Sequence, residues 1–84
     1  MNNTEQLYRE LSNRLDNQLD ILLTEKHTSL SDYKTVLIVE AISWIKFKIK
    51  YTLANKNLSQ FTKKSFVLEY MRASNIAINY ILST

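Results

Sequence analysis

From Ile45 to Tyr51 the chain alternates apolar and cationic side chains, reading Ile45-Lys46-Phe47-Lys48-Ile49-Lys50-Tyr51, with Trp44 directly before it. Lysines set among aromatic rings suit anionic partners, because the ammonium supplies charge while the ring supplies flat apolar area. Lipid headgroups, nucleic acid and acidic proteins all fit such a surface. No acid occurs between Glu40 and Glu69, whereas Lys46, Lys48, Lys50, Lys56, Lys63 and Lys64 all fall in that interval. The first 32 residues have the opposite balance, with Arg9, Arg14 and Lys26 against Glu5, Glu10, Asp16, Asp20, Glu25 and Asp32. The simplest outcome is a solvated lysine face partly neutralised by an acidic first helix. The sharper one is a partner-binding surface built on Trp44, Lys46, Phe47, Lys50 and Tyr51, continued by Lys63 and Lys64.

Covalent and metal chemistry find little to work with. Gly, Pro and Cys are all absent, which removes thiol nucleophiles, cysteine metal sites and the glycine loops that cradle phosphates. The single histidine, His27, is expected to be a solvated link residue. Asp16 and Asp20 share a face at i+4, but opposite a leucine stripe and so toward water, where nothing raises a carboxyl pKa for acid catalysis. The serines lack a base. The expectation is a protein that is not an enzyme and that uses no cofactor or metal.

The same missing residues speak to the fold. Without Gly or Pro, tight hairpins and helix breaks are disfavoured, and long helices joined by polar links are expected. Leu7, Leu11, Leu15, Leu19 and Leu22 recur at i+3/i+4, predicting an amphipathic helix from about Asn3 to Lys26. Asn2 and Glu5 resemble a capping box at its start. Ser31 and Ser59 each stand where a side-chain oxygen can cap a helix, opening segments from about Asp32 to Ala54 and Gln60 to Leu82. In the link between those two segments, Asn55 or Asn57 can take the left-handed position that Gly usually fills. In the third segment, Ala73 and Ala77 would let another helix approach closely.

Residues 45–53 alternate with the period of a half-buried strand. No breaker separates them from the run that starts at Val36, however, and no second alternating strand exists to pair with them. Helix is therefore expected. It would carry Ile38, Ile42, Ile45, Ile49 and Leu53 on one face, with Tyr33, Leu37, Trp44, Phe47 and Tyr51 on a roughly opposite one. Either the other two helices cover both faces, the simpler expectation, or the aromatic face is left for a partner or a membrane interface.

Length allows one domain, residues 1–84, with a thin core. The fold expected is an all-α, small antiparallel bundle of three long helices, or four if the first segment is split. No signal peptide or membrane span is read, so a cytoplasmic location is expected, peripheral to the inner membrane face if the basic surface meets it. Nucleic acid is a weaker candidate partner, since only three arginines occur and base readout leans on Arg. Phosphate contact through Lys46, Lys50, Lys63 and Lys64 stays open, as does a homodimer that extends the thin core.

From about residue 41 onward the chain resembles the immunity proteins of pediocin-like (class IIa) bacteriocins, the enterocin A immunity family. The residues that carry the resemblance are Ile42-Ser43 and Ile49, then Leu58-Ser59-Gln60-Phe61 with Lys63-Lys64, then Leu68-Glu69, Ser74-Asn75-Ile76 and Tyr80. It departs from the family at Trp44-Ile45-Lys46 and in having three helical segments where the family has four. The resemblance implies a cytosolic antiparallel bundle that protects a producing cell at the mannose phosphotransferase permease attacked by the bacteriocin. It places Lys63, Lys64, Ser74, Asn75 and Tyr80 in the half that recognises the target.

Overall fold

The computed structural model describes residues 3–26 and 30–83, and of Asn3 and Lys26 the backbone alone. The capping box at Asn2 and the link residue His27 lie outside the described residues. Within them the protein is all-helical: α1 spans Asn3–Lys26, α2 Asp32–Ala54 and α3 Gln60–Ser83. Residues 45–53 continue α2 without interruption, because an isolated alternating segment has no strand to take its backbone hydrogen bonds.

Serine caps open α2 and α3 alike. Ser31 holds extended angles (φ −70°, ψ 159°) and its Oγ accepts from the Lys34 amide at 3.2 Å. Ser59 Oγ accepts from the Thr62 amide at 3.1 Å. The link between α2 and α3 departs from expectation, since no described residue has positive φ. Asn55 stays extended (φ −74°, ψ 114°) while its amide closes on the Thr52 carbonyl at 3.2 Å. Its Oδ1 then accepts from the Asn57 amide at 2.8 Å. The asparagine side chain makes the turn, so the left-handed conformation is not needed.

One cluster forms the core. Ile38, Ile42, Ile45, Ile49 and Leu53 of α2 meet Leu11 and Leu15 of α1 and Val67 and Ile78 of α3. Among the described residues no Cα of α1 comes within 8 Å of one in α3. The two outer helices therefore both pack on the isoleucine side of α2 and are bridged at side-chain length, where Gln18 Nε2 donates to Asn75 Oδ1 at 3.0 Å. The expectation that neighbours cover both apolar faces of α2 fails. Trp44, Phe47 and Tyr51 are 59%, 54% and 70% exposed. A helix packed twice on one side has no third helix for the other.

Ala73 is exposed and Ala77 half-buried, whereas Ser74 is fully buried and its Oγ has no partner among the described residues. Buried Val67, Ser74 and Ile78 recur at helical spacing and define the inner face instead.

Burial separates Ile49, which is 1% exposed, from Ile76, at 70%. In urea unfolding of the two alanine variants, Ile49→Ala is expected to lose about 2–5 kcal/mol. Ile76→Ala should lose under ~0.5 kcal/mol. Equal losses would contradict this placement of α2 and α3.

Candidate functional site, an aromatic and basic helix face

Residues 44, 47 and 51 follow one another up the same side of α2, the spacing at which helix side chains meet. Trp44 and Phe47 stack with ring centroids 5.8 Å apart and planes 16° from parallel. Phe47 and Tyr51 follow at 5.9 Å, tilted by 34°. Beside them a shallow groove is lined by Val39, Glu40, Ser43, Trp44 and Phe47. Tyr33 and Val36 extend the exposed strip toward the start of α2.

The lysines expected to act together divide. Lys48 Nζ lies 5.2 Å from the Trp44 ring centroid, and Lys50 Nζ lies 5.9 Å from that of Tyr8 in α1, both within cation–π range. Lys46 turns away from the aromatic strip. Its Nζ donates to Asp16 Oδ1 at 3.0 Å and Oδ2 at 3.3 Å, tying α2 to α1. Asp16, expected to face water, is thus the partner of a half-buried cation. A pair that water still reaches in this way contributes on the order of 1 kcal/mol.

Lys63 and Lys64 separate more sharply. Lys64 is exposed, but Lys63 is only 7% exposed and its Nζ donates to the Leu53 carbonyl at 2.9 Å. The last turn of α2 holds no basic residue of its own. Lys63 therefore brings a cation from α3 to the negative end of the α2 dipole and satisfies a carbonyl that the helix leaves open. Its helical register with Val67, Ser74 and Ile78 is the signal that distinguishes it from its neighbour.

Farther along α3, Ser74 is sealed in the core, Asn75 is exposed and held by Gln18, and Tyr80 is 70% exposed. The structure thus brings Trp44, Phe47, Lys50 and Tyr51 to the surface of α2 and Lys64, Asn75 and Tyr80 to that of α3. Lys46, Lys63 and Ser74 it commits to packing. Sequence reading did not count Glu40, which lies in the groove, or exposed Phe61, Leu68 and Ile76 on α3 among the binding residues, although the last three help carry the family resemblance. Their mismatch with the inner-face spacing of each helix is what could have singled them out.

Among the described residues no three His, Asp or Glu side chains come together to hold a metal ion. No described helix is long and apolar enough to cross a membrane. Compared with family models, curated proteins and solved structures, the chain matches none.

The two adjacent lysines give a direct check. Lys63→Ala should lower stability by about 1.5–3 kcal/mol, the range for a hydrogen bond from a charged donor. For a domain of this size that is a fall in Tm of roughly 6–24 °C. Lys64→Ala should stay within about 0.5 kcal/mol of the parent. A harmless Lys63→Ala in calorimetry would contradict the capping role.

Proposed function

We propose that this chain is a non-enzymatic binding protein that works through helix faces its own bundle leaves uncovered. Within that class, the resemblance of its C-terminal half supports a cytosolic bacteriocin immunity protein. It would shield the producing cell by engaging the bacteriocin-bound membrane receptor, the mannose phosphotransferase permease. The observation that carries the binding reading is the exposure of large apolar side chains beside lysines. Trp44, Phe47 and Tyr51 lie with Lys48 and Lys50 on α2, and Phe61, Leu68, Ile76 and Tyr80 share α3 with Lys64. Monomeric soluble proteins rarely leave such patches without a partner.

The antiparallel course that the resemblance implies is supported by which residues meet. Tyr8 lies by Lys50 and Asp16 by Lys46, while Thr52 Oγ1 donates to Tyr70 Oη at 3.3 Å. From Tyr8–Lys50 to Asp16–Lys46 the position rises in α1 as it falls in α2. α1 runs unbroken from Asn3 to Lys26, which favours three helices over the split into four. The competing reading is a small mobile-element or phage-type regulator or adaptor, possibly dimeric, that binds a protein or nucleic acid through its basic half; its nucleic-acid branch is weakened by two lysines. Lys46 and Lys63 were candidates for phosphate contact, and both are engaged within the protein.

The test is resistance. Producing the chain inside a bacteriocin-sensitive Gram-positive strain should raise the killing dose of at least one class IIa peptide by about tenfold or more. Lys64→Ala combined with Tyr80→Ala should return the strain toward sensitivity. An unchanged killing dose across a panel of such peptides would remove the immunity reading.

A further inference from the structure

The molecule presents 6186 Å² to solvent, whereas a folded monomer of 9.9 kDa ordinarily presents ~5,200 Å². Its radius of gyration is 14.0 Å, against roughly 12 Å for a compact chain of this length. The surplus, ~1,000 Å² on the same scaling, is comparable with the ~800 Å² that each partner gives to a standard interface. Tyr33, Val36, Trp44, Phe47 and Tyr51 make one exposed strip on α2, about 27 Å long at the helical rise.

Charge narrows the occupant. At about 100° per residue, Glu40 falls between the directions of Phe47 and Tyr51, in the middle of the strip, and it is exposed. A carboxylate there opposes an anionic bilayer or a phosphate backbone, which the flanking lysines alone would favour. It calls for a cation from the other side, and a second copy of this chain carries one at the required distance. When two strips lie antiparallel across a two-fold axis at Trp44, residues equidistant from Trp44 come opposite one another. Glu40 then meets Lys48 of the second copy, with Lys50 half a turn beyond, and symmetry makes the pairing twice.

We propose that the outer face of α2 is the isologous interface of a homodimer, with the Trp44 and Phe47 rings at its centre and two Glu40–Lys48 pairs flanking them. The outer side of α3, with Lys64 and Tyr80, stays free for the target proposed above. The dimer does not depend on that function: mass is read on the purified chain and resistance in cells, so either can fail alone.

Sedimentation equilibrium of the full chain up to about 100 μM should give twice the 9.9 kDa chain mass. Glu40→Lys and the double variant Lys48→Glu/Lys50→Glu should each weaken dimerisation about tenfold or more, with unchanged helical circular dichroism. An equimolar mixture of these two variants should restore the dimer, because every like-charge contact becomes an opposite-charge one. A monomer throughout the range would overturn the proposal, as would a dimer indifferent to both charge changes or one not recovered on mixing. A monomer that pellets with phosphatidylglycerol vesicles would also overturn it and assign the face to lipid.

Discussion

Everything in this fold leans on one ridge, the row Ile38, Ile42, Ile45, Ile49 and Leu53 along α2. α1 and α3 have no backbone contact with each other to fall back on, so each is held by what it buries against that row. A fully buried Ile or Leu contributes about 1.5–3 kcal/mol, and a chain this long is stable by only about 4–13 kcal/mol. The ridge is therefore the margin of folding. It also decides what stays outside: because both neighbours take the isoleucine side, the aromatic side of the same helix remains open.

The missing glycines shape the rest. With no glycine for a left-handed helix end, the α2–α3 link uses the Asn55 side chain for the turn and Lys63 for the Leu53 carbonyl. Both devices are polar side chains doing what backbone conformation usually does. One consequence reaches the surface, since a lysine spent on a helix end is lost to any partner. Lys46, drawn to Asp16, is withdrawn in the same way. The basic character of residues 41–68 is therefore carried outward by Lys48, Lys50, Lys56 and Lys64.

Periodicity and capping chemistry made the three helices legible, because both are local. The bounds read from Ser31, Ser59 and the leucine stripe lie within a residue of those observed. Residues 45–53 were legible for a different reason, the absence of any pairing partner for a strand. What the chain did not disclose is how neighbours distribute around α2. Two apolar faces at helical spacing look alike in sequence whether each is covered or both helices crowd onto one. Ala73, read as a place of close approach, is exposed, since small size permits such a contact without directing one; Ser74, in register with Val67 and Ile78, is the small residue that is fully buried. Lys63 and Lys64 differ by the 100° turn between adjacent residues, which sends one inward and the other to water.

That geometry gives α2 two duties, an inner ridge that organises the protein and an outer strip that awaits a partner. Amide hydrogen exchange followed by NMR tests the first duty most directly, since exchange in a folded domain reports local and global opening separately. The amides of Ile42 through Leu53 should exchange slowest of all, with helical chemical shifts throughout, and α1 and α3 should open at lower free energy. Slowest exchange in α1 or α3, or strand-like shifts across residues 45–53, would contradict it.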